Sequence, residues 1–145
     1  MAYIVNQDII DRVGNDTAVQ LTSETGTTVI TAVVDEVRLS SEGEVNGYLA
    51  KRYAVPVDLT AHADLAATLK GYTLDIAVFR LHKRRPPVDK DIRASRDDAI
   101  KWLMGIVKGE IVLPASVTPA STTSDDPQGT WGSDDKNLGT IRDSL

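Results

Sequence analysis

The side chains that could carry out chemistry in this chain are few and widely spaced. Its two histidines, His62 and His82, form neither a His-x-x-x-His nor a His-Glu-x-x-His zinc motif. The chain contains no cysteine, which excludes disulfides and thiolate metal sites. The adjacent pairs Asp97–Asp98 and Asp125–Asp126 are carboxylates of the kind that bind metals. Because neighbouring residues of a helix point about 100° apart, these pairs instead predict solvated surface acids, and each histidine predicts a surface or interface residue.

Motifs for catalysis and cofactor binding are also missing from the sequence. It has no nucleophile elbow, phosphate-binding loop or dinucleotide fingerprint, so we expect neither an enzyme nor a cofactor. Gly43-x-x-x-Gly47 has the spacing of a membrane dimerisation motif, but its polar surroundings favour close packing of two helices in water. No run reaches the roughly 18 apolar residues of a membrane span. The first residues lack the features of a signal peptide, so we expect no membrane association and no export.

Charge is unevenly distributed along the chain. The net charge is −5, of which residues 114–145 contribute −3 through five aspartates against two basic residues. Residues 82–101, the basic corner, hold seven basic and four acidic residues. This corner either complements a helix dipole and is solvated, or meets an acidic neighbouring subunit or DNA phosphates. An acidic chain with one basic corner does not favour a free-standing DNA-binding protein.

The hydrophobic periodicity predicts an all-α fold, a small bundle of about five helices followed by an extended tail. Two helices are short, one running from an Asn6 N-cap to Gly14 and the next over residues 15–21. Three longer helices are predicted over about 31–52, 63–83 and 89–108, with Gly109 at the C′ position of the last. Their apolar stripes are, in turn, Val34, Val37, Val45, Tyr48 and Leu49, with Ser41 in the missing place; Leu65, Leu69, Tyr72, Ile76 and Phe79; and Ile92, Ala99, Leu103 and Ile106, with Trp102 on its flank.

Composition changes after Leu113, which divides the chain into a helical domain, 1–113, and a polar C-terminal tail, 114–145. The tail is too polar and too rich in proline to bury a core. Four apolar residues nevertheless punctuate its last fifteen positions: Trp131, Leu138, Ile141 and Leu145. They predict a tail that docks a few anchors into a partner; the alternative is a loose terminus.

Several segments follow one another in a distinctive order. The first are Tyr3-x-x-x-x-Asp8-Ile-Ile-x-Arg12-Val-Gly14 and Glu44-Val-Asn-Gly-Tyr-Leu-Ala-x-Arg52-Tyr-x-Val-Pro56. Leu74-Asp-Ile-Ala-x-x-Arg80-Leu, Asp98-Ala-Ile-Lys-Trp-Leu and Val107-Lys-Gly-Glu-Ile-x-Leu-Pro114 follow, and the chain ends in Arg142-Asp-Ser-Leu145. In order and spacing this series resembles the phage Mu-like head–tail adaptor (neck) family. The resemblance covers most of residues 2–114; it departs between 28 and 40 and in the middle of the tail.

The resemblance implies a structural virion protein located in the neck, at the head–tail junction, and assembled in the host cytoplasm. Its partners would be further copies of itself in a twelve-fold ring, the portal protein and a stopper or tail-completion protein, with DNA passing through the ring without sequence-specific binding. On this reading Trp131, Leu138, Ile141 and Leu145 dock on the portal, and Arg84, Arg85, Arg93 and Arg96 form a subunit interface or line the channel. Two alternatives stay open: a DNA-binding regulator that uses the basic corner, and a generic interaction module outside the virion.

Overall fold

A computed structural model of the chain describes residues 2–114 and 116–120. Its regular elements are five helices: α1 Asn6–Val13, α2 Asn15–Thr22, α3 Thr31–Leu49, α4 Ala63–His82 and α5 Lys90–Lys108. Within this part of the chain there is no strand, and β-type pairing is limited to an isolated antiparallel bridge between Tyr53 and Pro119. The all-α prediction is therefore confirmed. None of the five helices is long and apolar enough to cross a membrane.

The C-terminal end of α5 has the chemistry that the sequence predicts, and the helix begins at Lys90, one residue later than predicted. At its start, Asp89 Oδ1 accepts a hydrogen bond from the Asp91 N–H at 2.7 Å, which satisfies one of the free donors of the first turn. Gly109 follows its last residue in the left-handed conformation, with φ 82°. A glycine adopts this conformation without the Cβ clash that penalises other residues. Local sequence is therefore sufficient to place this helix.

The start of α1 differs from the prediction, because Asn6 is the first helical residue and not the N-cap. Val5 precedes the helix, and its N–H donates to Asp8 Oδ2 at 2.8 Å. The Asn6 side chain is engaged elsewhere: its Oδ1 accepts a hydrogen bond from Arg38 Nε of α3 at 2.8 Å. The Asn6 side chain, which local preference would place at the N-cap, thus makes a tertiary contact instead.

The core consists of two clusters, and α4 lies between them. One cluster joins the second half of α3, α4, α5 and the segments that follow α3 and α5; it contains Val45, Leu49, Val57, Leu59, Leu69, Ile76, Ala99, Leu103, Ile106, Leu113 and Val117. The other joins the N-terminus, α1, α2, α3 and α4; it contains Ile4, Ile9, Leu21, Val34, Val37, Leu74, Ala77 and Leu81. The prediction of one apolar stripe on α4 is therefore incomplete. A helix covered on two sides is apolar on two faces.

The predicted close packing of another helix on Gly43 and Gly47 is wrong for the described part of the chain. Both glycines are exposed on α3, and a Cβ built at either would meet nothing within 4 Å. The buried side of α3 instead contains Val34, Val37 and Ser41. Ser41 fills the gap in the apolar stripe because its hydroxyl donates to the Val37 carbonyl at 2.7 Å and so can be buried at little cost.

Residues 116–120, the first part of the predicted tail, pack against the helical unit. Val117 is buried in the first core cluster. The Ala54 N–H donates to the Thr118 carbonyl at 2.9 Å, and the Ala120 N–H donates to the Arg52 carbonyl at 3.0 Å. The chain therefore leaves the helical unit from a fixed point beside the end of α3. The rest of the tail, 121–145, lies outside the described residues.

Candidate functional site

The segment 44–57, which carries the longest of the sequence motifs, lies where the start of the chain meets the end of α3. The Tyr3 hydroxyl donates to Asn46 Oδ1 at 2.6 Å and accepts a hydrogen bond from the Val57 N–H at 3.0 Å. Burial raises the pKa of Tyr3 and the nearby Glu42 carboxylate adds to the shift, while the bond from Val57 opposes it. The phenol therefore stays protonated and keeps its donated hydrogen bond at neutral pH.

The Glu42 carboxylate, on the preceding turn of α3, holds the start of the chain. Its Oε1 accepts hydrogen bonds from the Tyr3 N–H at 2.9 Å and the Ile4 N–H at 3.1 Å, and Arg38 Nη1 lies 3.4 Å from Oε2. A carboxylate this well buried needs such donors, since an unpaired buried charge is costly. Glu42 thus has a structural role, because it joins the start of the chain to α3.

Arg52 and Tyr53 join the same segment to the end of α5. Arg52 Nε donates to the Val107 carbonyl at 3.2 Å, and the Tyr53 hydroxyl accepts a hydrogen bond from the Leu113 N–H at 2.9 Å. A Cβ added to Gly109 would lie 2.7 Å from Arg52 Nη2, so the guanidinium group would have to shift, and the backbone conformation itself favours glycine. These contacts give most of segment 44–57 a structural role.

Glu44 is the member of this segment that faces a different environment. Its carboxylate lies between two guanidinium groups: Arg80 of α4 is hydrogen-bonded to Oε1, and Arg96 Nη2 of α5 lies 3.9 Å from Oε2. The Arg96 guanidinium also lies over the Phe79 ring, 5.3 Å from its centroid, an arrangement that favours a cation. One carboxylate therefore joins three helices while two cations share it.

These residues line a groove of about 350 Å³ between α3, α4 and α5, which we call the cationic groove. Its apolar floor includes Val37 and Ile76, both buried. Its charged groups are four basic residues against two acidic ones. They are Arg80, Lys83, Arg84 and Arg96, and Glu36 and Glu44; Val33, Ser40 and Phe79 complete the lining. The groove therefore has an excess of positive charge on a chain whose net charge is −5.

Three buried polar atoms of groove residues have no hydrogen-bond partner among the described residues. They are Glu44 Oε2, Arg80 Nε and Arg96 Nε. Buried donors and acceptors without partners cost free energy, about 1–3 kcal/mol each. These three atoms are not reached from the groove, but the Arg80 and Arg96 side chains are 37% and 34% exposed, so a ligand could contact the exposed part of each guanidinium group. Chemically, the site is suited to binding an anionic group.

Sequence reasoning found only part of this groove. Arg84 and Arg96 were candidate residues, but Glu44, Phe79, Arg80 and Lys83 were not. A signal was present on α4, because Arg80 stands three and four residues before Lys83 and Arg84 and thus on one side of the helix. For residues 82–101 the sequence leaves two interpretations open, complementation of a helix dipole or contact with an acidic subunit or DNA, and neither identifies the groove.

Of the other arginines of the basic corner, Arg84 lines the groove, and Arg85 and Arg93 do not. The Arg84 Nη1 group donates to the Leu21 carbonyl at 2.8 Å, and Arg85 Nε donates to the Gln20 carbonyl at 3.0 Å. These are carbonyls of the last turn of α2, so the two arginines complement the dipole of that helix. Arg93 is exposed on α5, apart from the groove. The proposed interface or channel roles of Arg84, Arg85, Arg93 and Arg96 stay predictions.

The four tail anchors, Trp131, Leu138, Ile141 and Leu145, lie outside the described residues, and so does the pair Asp125–Asp126. Of the groups considered for chemistry, His62 Nε2 lies 2.6 Å from Ser116 Oγ, and His82 Nδ1 donates to the Val78 carbonyl at 2.9 Å. No group of three or more residues suited to binding a metal ion occurs in the described ranges.

A second depression lies on the other side of α4, between Arg12, Asp75 and Asp91. Arg12 Nη1 and Asp75 Oδ1 are 2.9 Å apart and pair with each other. Burial raises the pKa of Asp75 above its usual value, and the charge of Asp98 contributes in the same direction, while Arg12 opposes the shift. Its lining has Arg12 and His82 against Asp75 and Asp91, so this depression, unlike the cationic groove, has no excess of positive charge.

Comparison with known proteins identifies the family. A search of curated proteins found no match. The family model described as "Bacteriophage Mu, Gp36" matches residues 3–130, a range that includes the helical unit, every residue of the cationic groove and the first part of the tail. The chain therefore belongs to the bacteriophage Mu Gp36 family.

Proposed function

We propose that this protein is a structural virion protein, a head–tail adaptor that forms a ring of twelve copies below the portal. The ring extends the DNA channel and joins the capsid to the tail through a stopper or tail-completion protein. The observation that carries the proposal is the match to a phage family across residues 3–130, together with the ordered motifs that resemble neck adaptors. In this role the protein has no catalytic activity and no cofactor, and it resides in the virion neck after assembly in the host cytoplasm.

The helical unit is suited to a place in a ring. Contacts of α4 with all four other helices give it one continuous framework. Its charged groove and its exposed α3 face are different surfaces of one copy, and contacts between different surfaces are those that generate closed rings. The tail starts at a fixed point, since Ala120 is hydrogen-bonded to Arg52. Trp131, Leu138, Ile141 and Leu145 are then the anchors that dock on the portal.

DNA passes through this ring without sequence-specific binding. The net charge of −5 favours a channel that does not retain DNA, because binding to phosphates requires a surplus of basic residues. Two arginines of the basic corner, Arg84 and Arg85, are engaged with carbonyls of α2, which reduces what the corner offers to DNA. Tight DNA binding by the purified protein at physiological salt would instead support the alternative of a DNA-binding regulator.

Deletion of the gene tests the proposal. Lysates of the deletion phage, imaged by electron microscopy, should contain heads and complete tails that are not joined. Purified wild-type particles should contain the protein at about the copy number of the portal. Normal joined particles in the deletion lysate would refute the adaptor function, and absence from purified particles would leave a generic interaction module as the better interpretation.

Complementation tests the role of the tail anchors. The deletion phage is supplied with a chain in which Trp131, Leu138, Ile141 and Leu145 are replaced by serine, and it should still yield separate heads and tails. The matched control replaces Ser121, Thr122, Thr123 and Thr130 of the same tail by alanine and should restore joined particles. Equal rescue by both chains would show that these anchors do not dock on the portal.

A further inference from the structure

We propose that the cationic groove of one copy binds the acidic part of the tail, residues 121–135, of the neighbouring copy. The inference rests on the ring assembly proposed above and names the contact that would join its subunits. The occupant is a defined segment of the chain, and the groove is the α3–α4–α5 site described above.

Charge complementarity carries the assignment. Residues 121–135 contain four aspartates, Asp125, Asp126, Asp134 and Asp135, and no basic residue. The groove presents four basic residues against two acidic ones. Carboxylates are strong acceptors for guanidinium groups, and the Arg80 and Arg96 side chains are 37% and 34% exposed. An acidic segment therefore supplies the charge that complements this groove.

The position of the groove relative to the tail fits this contact. Ala120 is held beside Arg52, just beyond the end of α3, whereas the groove runs alongside α3 from Val33 to Glu44. Asp125 is five residues after Ala120 and so lies at most about 18 Å from it when the chain is extended, which places the start of the acidic segment near the surface of its own copy. Each copy supplies one groove and one segment, and a head-to-tail contact of this kind forms a ring when the rotation between copies closes.

The contact leaves the end of the tail available. The contact is made by the aspartate pairs on either side of Trp131, so Trp131 and the later anchors Leu138, Ile141 and Leu145 remain available to dock on the portal. In a closed ring every such contact is repeated around the axis, so a weak individual contact gives a stable assembly through effective concentration.

Paramagnetic labelling of the full chain tests the proposal. Because the chain has no cysteine, Ser133→Cys introduces a single site for a nitroxide spin label. Chains that carry the spin label at natural isotope abundance are mixed with ¹⁵N-labelled wild-type chains. Any loss of amide signal then reports contact between copies. Amide signals of Ser40, Phe79 and Lys83 should lose intensity, and that of Lys108, about 18 Å along α5 from Arg96, should lose much less.

Two perturbations define the result. About 1 M NaCl, where the screening length is about 3 Å, should restore the lost signals. Lys83→Glu in the ¹⁵N chain should restore them too, whereas the control Lys101→Glu, with the same change of charge outside the groove, should not. The amide spectrum of each variant establishes that it is folded.

Three outcomes would overturn the proposal: no intensity loss between copies, loss that does not centre on the groove, or loss that salt and Lys83→Glu leave unchanged. A further sample, with label and isotope on the same chain diluted into wild-type, detects binding of the tail to its own groove. Loss in that sample alone would also overturn the contact between copies. Electron microscopy of the deletion lysate decides the adaptor function independently, so the two proposals can fail separately.

Discussion

Replacing Gly109 with alanine tests whether segment 44–57 is joined to the end of α5 in the way described. The backbone at Gly109 has φ 82°, a conformation that costs an L-residue about 1–2 kcal/mol. The new Cβ would also lie 2.7 Å from Arg52 Nη2 and 3.2 Å from Arg52 Cζ, so the guanidinium group must move. Arg52 is exposed and flexible, so this movement costs at most its hydrogen bond to the Val107 carbonyl, which contributes about 0.5–1.5 kcal/mol. We therefore expect the free energy of unfolding to fall by about 1–3 kcal/mol.

A double-mutant cycle with Arg52→Met separates the two costs. Without the guanidinium group, Gly109→Ala should cost only the backbone term, so the two substitutions should be coupled by about 1 kcal/mol. Urea unfolding of the full-length variants, followed by far-ultraviolet circular dichroism, gives each free energy of unfolding. Gly26→Ala is the matched control, because Gly26 also has a positive φ, 73°, but a Cβ there meets nothing within 4 Å. Additive effects of Gly109→Ala and Arg52→Met would refute the contact between them.

Three further predictions concern the core, the start of the chain and pH. Leu103→Ala, at a fully buried position, should lower the free energy of unfolding by about 2–5 kcal/mol. The control Val112→Ala, at a residue 76% exposed, should change it by less than about 0.5 kcal/mol. Equal effects in urea unfolding would contradict the core assignment. Tyr3→Phe should cost about 1–3 kcal/mol, because it leaves the Val57 N–H without its acceptor, and an unchanged midpoint would show that this bond contributes nothing. Burial tends to raise the pKa of Asp8, but hydrogen bonds and the ammonium group of Lys70 outweigh it, so the pKa is lowered. The contribution of Asp8 to stability is therefore present above pH 3.8 and is lost as pH falls through the lower folded-state pKa. Asp8→Asn should lose less stability than wild type over that acid range, and parallel pH profiles would contradict this.

The sequence predicts those parts of the fold that depend on local chemistry. Both ends of α5 follow from Asp89 and Gly109, since a side-chain oxygen before the first turn and a glycine after the last satisfy the groups that a helix leaves unpaired. The start of α1 could not be placed in this way, because the Asn6 side chain binds Arg38 of another helix. Rules based on local sequence do not include the competition between capping and a contact with another helix.

Features that depend on which elements become neighbours were predicted less well. The stripe of α4 was read on one face, although Leu74, Ala77 and Leu81 pack on a second one, because periodicity alone does not show that a helix is covered on two sides. The glycines of α3 were assigned to close packing, yet Gly43 and Gly47 are exposed. A glycine allows another helix to approach closely, but the sequence does not show whether another helix packs there.

The charges of the basic corner show why the candidate site could be found only in part. A count along the sequence treats every arginine as available to a partner. In the fold, Arg84 and Arg85 donate to carbonyls at the end of α2, while Arg96 comes next to Arg80, a residue outside the corner, across the Glu44 carboxylate. The surface available to an anion is therefore set by which intramolecular acceptors each guanidinium group finds, and these acceptors come from residues far apart in sequence. When these intramolecular contacts are taken into account, the candidate binding site is a groove formed by three helices around Glu44, and not a continuous stretch of the sequence.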